Sequence, residues 1–185
     1  MASTLKINNL DTASGSSITL ASGKVLDASG MVVQTVYVDP ISTEVDSTSN
    51  TFVDTGLQAT ITPKLATSKN LICIYFPIYM FGSGETTEPR GSVRIMRSVN
   101  GGSFSSLVTF QDNSDYTFKH ENSANTNWNI DHASPTHFDD HNTTDTIIYK
   151  IQFKNTGGTS GGTLRVANNN SSGNSPRMYV QEIAQ

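Results

Sequence analysis

Cysteine is almost missing from this chain. Cys73 stands alone, which excludes an internal disulfide and a cysteine-rich zinc site. It lies within an apolar stretch, Leu71 to Phe81, so it reads as a small buried hydrophobe rather than a nucleophile. That stretch is the longest of its kind, contains Pro77 and is too short to span a bilayer as a helix. Charge is also scarce. Asp, Glu, Lys and Arg make up 15% of the chain and the formal net charge is −4. Hydrophobic residues reach only 35%. Disordered chains combine low hydrophobicity with high net charge, so simple disorder fits poorly. A pI near 5.4 with scattered charges argues against nucleic-acid binding. No apolar stretch follows Met1, and no signal peptide is expected.

Ser, Thr, Asn and Gly fill the gap, at roughly two-fifths of the chain, a composition of turn formers and strand-tolerant residues. No segment holds a helical apolar period before Gly, Asn, Asp or Pro interrupts it. Strands are predicted at 32–38, 51–53, 57–62, 71–80, 92–99, 103–110, 144–154, 163–166 and 177–183. Asn100-Gly101-Gly102 predicts a tight hairpin between two of them, because Asn and Gly accept positive φ. In 144–154, Ile147, Tyr149, Ile151 and Phe153 alternate with Thr146, Ile148, Lys150 and Gln152, which gives a nearly one-sided strand. The 71–80 strand is apolar on both faces and belongs inside a sandwich or at a subunit interface. The expected fold is all-β, a β-sandwich of jelly-roll type over 31–185.

Residues 1–30 differ from the rest. Ala-Ser-Gly occurs three times, with glycines at positions 15, 23 and 30. Short extended pieces between them suggest strand-and-turn units. One such segment cannot bury a core, whereas three copies wound about a common axis can, through Leu5, Ile7, Ile18, Leu20 and Val25, so 1–30 reads as an N-terminal anchor or shaft segment. The alternative is a flexible Gly/Ser tether.

The segment 111–143 is long, polar and rich in Asn, Asp and His. It reads as a loop, and loops of this length are usually functional or disordered. Tyr116, Phe118, Trp128 and Phe138 stand there among amides and carboxylates, as rings that contact a sugar face do. The plainer reading of Trp128 is a plug at the end of the sandwich. His137, Asp139 and His141 project to one side of an extended segment and are weak metal-ligand candidates, against a solvated turn. No catalytic constellation is legible. A nucleophile elbow is missing, Ser134 lies between Ala and Pro, and Asp139-Asp140 point to opposite faces of a strand. No enzyme activity and no cofactor are expected. Gly82-Ser83-Gly84 lacks the Lys-Ser/Thr of a phosphate loop.

Several short stretches, in order along the chain, resemble a family of structural proteins of marine and cyanobacterial tailed phages. They begin with Thr4-Leu5-Lys6-Ile7-Asn8-Asn9-Leu10 and Ser22 to Gly30. Phe52-Val53-Asp54-Thr55-Gly56-Leu57 with Ala59-Thr60-Ile61-Thr62-Pro63 is similar to the family's "tDTGLsatITP". Ser92 to Arg97 is similar to "vrllR", Ser134-Pro135 with Tyr149 to Phe153 to "DSP…YKvqf", and Met178 to Ala184 to "itlmEIA". The resemblance implies a tail-fibre-like virion protein, usually a homotrimer. Its N-terminal segment would bind other virion proteins, and its sandwich would carry an exposed surface for a host glycan or protein. A capsid-surface decoration or head fibre is the close competitor. A free carbohydrate-binding module is the competitor of a different class. Residues 111–143 look expanded relative to the family pattern.

Overall fold

The computed structural model describes residues 28–81, 90–110, 118–119, 128–156, 162–166 and 175–185. The packing expected of Leu5, Ile7, Ile18, Leu20 and Val25 in the 1–30 segment lies outside them. Among the described residues the structure is all-β, with twelve strands in chain order. These are β1 (Val32–Val38), β2 (Val45–Ser47), β3 (Val53–Ile61), β4 (Lys69–Phe81), β5 (Arg90–Val99) and β6 (Ser105–Phe110). They continue with β7 (Phe118–Lys119), β8 (Trp128–Ala133), β9 (Thr136–Asp139), β10 (Ile147–Asn155), β11 (Thr163–Val166) and β12 (Arg177–Ile183).

All pairings are antiparallel. In the first sheet β1 pairs with β12 and β12 with the first half of β4. β9 and β8 lie along the other edge of β4. The second sheet runs β3-β10-β5-β6. Two four-strand layers in the orders 1-12-4-8/9 and 3-10-5-6 make a jelly roll, in which the chain passes between layers except at the β5–β6 hairpin and the β8–β9 run. β2 and β11 are short additions that extend the first sheet beside the second half of β4.

The core lies between the layers and follows from alternation. β10 places Ile147, Tyr149, Ile151 and Phe153 there, all fully buried, as its sequence predicts. β4 supplies Ile72, Ile74, Phe76, Ile78 and Met80, and β12 supplies Met178 and Val180. The doubly apolar 71–80 segment is thus the central strand of the sandwich. The hairpin at 99–102 also forms as expected. Asn100 and Gly101 take φ of 50° and 71°, and the Gly102 N–H reaches the Val99 carbonyl at 2.9 Å.

Two expectations are corrected. Strands read at 51–53 and 57–62 are one strand, β3, with a bulge. Lys150 pairs with Gln58 but Gln152 pairs with Asp54, so Thr55, Gly56 and Leu57 face the single residue Ile151. The Thr55 hydroxyl fills the missing rung. It donates to the Ile151 carbonyl at 2.9 Å and accepts from the Leu57 N–H at 3.0 Å. Gly56 holds φ at +85°, with open space where a Cβ would sit. Gly56→Ala therefore costs backbone strain alone, about 1–2 kcal/mol. A urea titration checks this, and an unchanged midpoint would refute the assignment.

The second correction concerns 111–143, which is not one polar loop. It contains β7, β8 and β9. β8 and β9 run in a single register along β4, with Phe76 opposite Ala133 and Cys73 opposite Thr136. Pro135 sits in the break, and its carbonyl accepts the Ile74 N–H at 3.1 Å. An edge position is where a strand tolerates proline.

The chain enters the described fold through a turn at Ala28–Met31, with Gly30 at φ 81°. Gly30 and Met31 exchange backbone hydrogen bonds with Ala184 at 2.8 and 2.9 Å. The third Ala-Ser-Gly is thus a turn, docked beside the chain's last residues.

Candidate functional site: the outer face of the first sheet

The two outer faces differ in chemistry. That of the second sheet is a lattice of compensated charge. Asp54 accepts from Lys150 at 3.0 Å and from Gln152 at 2.6 Å, and Arg94 donates to Gln152 at 2.7 Å. Arg94 also covers the Phe52 ring at 3.9 Å, and Lys150 lies 4.3 Å from the Phe104 ring centre. The charged groups of this face are thus partnered within it.

The first sheet presents rings instead. The residues of β4 between its core positions are Leu71, Cys73, Tyr75, Pro77 and Tyr79, of which Leu71 and Tyr75 are half-buried and Cys73, Pro77 and Tyr79 are buried. Cross-strand neighbours extend this row on the same side. Tyr179 lies opposite Cys73, and Tyr37 lies opposite Tyr179. Phe138 lies opposite Leu71, and Ile130 opposite Tyr79. His132 stacks on Tyr75 with ring centres 5.7 Å apart. Tyr37, Phe138, Tyr179 and Ile130 are 57%, 54%, 39% and 38% exposed. Exposed aromatics gathered on one sheet face mark a contact surface.

The candidates drawn from the sequence fall in different places. Phe138 lies on this face. Trp128 opens β8 opposite Phe81, and Phe118 lies in β7 opposite Gly91 of the second sheet. Backbone pairing thus puts Phe118 and Trp128 in different sheets. Tyr116 is outside the described residues. Tyr37, Tyr75 and Tyr179 were not singled out from the sequence. Their proximity comes from pairing between distant strands, and the alternation in Arg177–Ile183 was the available signal.

Two of the three metal-ligand candidates, Asp139 and His141, are otherwise engaged. His137 and Asp139 share the inward side of β9, opposite Ile72 and Asn70. Both Asp139 oxygens are occupied, one by Arg97 and one by the Tyr149 hydroxyl, each at 2.6 Å. Asn70 donates to the same hydroxyl at 3.0 Å. This polar bridge joins the two sheets at one end of the core. Burial, then the hydrogen bond to Asp139, raises the Tyr149 hydroxyl pKa, so it stays protonated as the donor. His141 accepts the Thr143 N–H on Nδ1 and faces the Ser68 hydroxyl with Nε2, each at 3.3 Å. Among the described residues no three His, Cys, Asp or Glu side chains form a group able to hold a metal ion.

A second network centres on Glu182, which is 0% exposed although it shares a side of β12 with Met178 and Val180. It accepts the Lys64 and Leu65 N–H groups at 2.8 Å, the Ser68 hydroxyl at 2.7 Å and the Gln34 amide at 2.6 Å. Burial pushes its carboxyl pKa up. The hydrogen bonds from the Lys64 backbone, Ser68, the Leu65 backbone and Gln34 outweigh that and hold it below the usual value. Ser68, His141 and Glu182 superficially suggest a nucleophile, base and acid. Their wiring is different, because the carboxylate takes the serine proton directly and does not orient the histidine. The network ties β12 to the turn after β3.

Among the described residues no helix is long and apolar enough to cross a membrane. No protein-family model and no curated protein matches the chain. Among solved structures, the chain is similar to one described as the structure of infectious bursal disease virus Gx strain, at 14% identity and a TM-score of 0.35. The match covers 90% of this chain and 42% of that one, so this chain spans less than half the length of its viral neighbour.

Proposed function

We propose that the chain is a virion structural protein, a tail-fibre or adhesin subunit of a tailed phage, whose jelly roll displays a contact surface to the host. The observation that carries this reading is the ring-lined outer face of the first sheet, held on a rigid sandwich. The resemblance to phage fibre proteins supports it, and its short motifs coincide with structural devices. "DTGL" is the Thr55–Gly56 bulge, "ITP" leads into the turn that binds Glu182, and "EIA" contains Glu182 itself.

The physical mechanism is multivalent weak attachment. Copies linked through residues 1–27 raise one another's effective concentration at a surface without any new contact. The full chain is expected to scatter light as a species three times the 20.0 kDa chain mass. Removal of residues 2–27 is expected to give a folded monomer, since the docked turn at Ala28–Met31 remains. A monomeric full chain at micromolar concentration, or a trimer without residues 2–27, would contradict this arrangement.

A further inference from the structure

Two arginines stand on the outer face of the first sheet, and their surroundings differ. Arg165 on β11 is held by Asp46 at 2.6 Å and by Glu44 at 3.3 Å, both from the β2 side. Arg177 on β12 lies opposite Tyr75 and two residues before Tyr179. Among the described residues it has no carboxylate partner, and its Nε is buried without an acceptor. Asp39 follows β1 one step beyond the last pair and is exposed, but makes no ion pair with it. A guanidinium is a planar array of donors shaped for an oxyanion, and a buried donor left unmet is costly. Arg177 shares this face with Tyr75, its cross-strand partner, and with Tyr179 two residues on, which has Tyr37 opposite it.

Cation and rings together define a ligand class. Side chains two apart on a strand are separated by about 6.8 Å, and neighbouring strands by about 4.8 Å. That is the scale of one or two sugar rings. A tyrosine ring packs on the C–H face of a pyranose, and the guanidinium takes a carboxylate or sulfate in a two-point hydrogen bond. We infer that this face binds an acidic saccharide, with Arg177 as the anion contact and Tyr37, Tyr75 and Tyr179 as the platform. This deepens the host-attachment reading and rests on it for its biological setting.

The test is calorimetric titration of the full chain with a uronate hexasaccharide, a sulfated hexasaccharide and a neutral glucan of equal length. At least one acidic probe is expected to bind about tenfold or more tightly than the neutral one, with affinity falling as salt rises. The probe preferred shows whether carboxylate or sulfate is read. Arg177→Gln is expected to remove the acidic preference while leaving the melting temperature unchanged, and Tyr179→Ala to weaken all three sugars. Equal binding of acidic and neutral probes, wild-type binding by Arg177→Gln, or no binding at millimolar sugar overturns the site. A trimer found on virions that ignores every probe loses this site alone. A chain that binds uronate but is absent from virions keeps the site and loses the virion role.

Discussion

Replacing Glu182 with alanine is expected to remove about 3–5 kcal/mol of unfolding free energy, a large share of the 5–15 kcal/mol typical of a domain. The carboxylate answers two backbone N–H groups, a serine hydroxyl and a glutamine amide in a place from which water is excluded. Alanine leaves those donors facing a cavity. Glutamine fills the volume, but its amide nitrogen confronts donors, so Glu182→Gln recovers little of the loss. Urea unfolding measures both, and a loss under about 1 kcal/mol for Glu182→Ala would refute the network's role.

The same carboxylate gives acid sensitivity of defined sign. Its folded pKa lies below the unfolded value of about 4.3. The unfolded state therefore takes up the proton first as pH falls. The stabilisation is fully present above the unfolded pKa and disappears as pH drops through the folded one. The stability gap between wild type and Glu182→Ala should accordingly narrow below about pH 4.3. A gap that widens on acidification would reverse the assignment.

Asp139→Ala is expected to cost about 3–5 kcal/mol by a different route. It strands Arg97 and takes the acceptor from the Tyr149 hydroxyl, at a site already carrying an unpartnered buried oxygen on Asn70. Asp139→Asn keeps the shape and one acceptor, so its loss should be clearly smaller. Thermal unfolding of the two variants separates charge from packing. Similar, small losses for both would mean that the polar bridge does not hold the sheets together. Zinc should not raise the wild-type melting temperature, because both Asp139 oxygens are already occupied. A metal-dependent rise would return His137, Asp139 and His141 to the status of ligands.

Much of the fold was legible wherever alternation and turn chemistry acted locally. The four inward side chains of β10, the Asn100-Gly101 turn and the boundaries of β1, β11 and β12 follow from period-two patterning and positive-φ residues. Strands whose existence depends on a distant partner were not legible. β2 is three residues long and is fixed by β11 through Arg165 and Asp46. β8 and β9 are polar in composition, and the long edge of β4 makes them strands. Gly56 read as an interruption, because a bulge needs the same positive φ as a turn.

The candidate site was legible in part. Phe138 was singled out and is exposed on the ring-lined face. The other rings were not, since Tyr37, Tyr75 and Tyr179 are far apart in sequence and meet only through the order β1-β12-β4. One signal was available in 177–183. Its alternation puts Arg177, Tyr179 and Gln181 on one side and an acid, Glu182, on the apolar side. An acid in a core position requires its own hydrogen-bond donors.

The proposed virion role is tested most directly by a reconstruction of the phage particle to which it assigns this chain. The expected density for the sandwich projects from the particle, attached through residues 1–27, with Tyr37, Arg177 and Tyr179 turned away from it. A particle that lacks the chain, or that holds this face buried against other virion proteins, would contradict it.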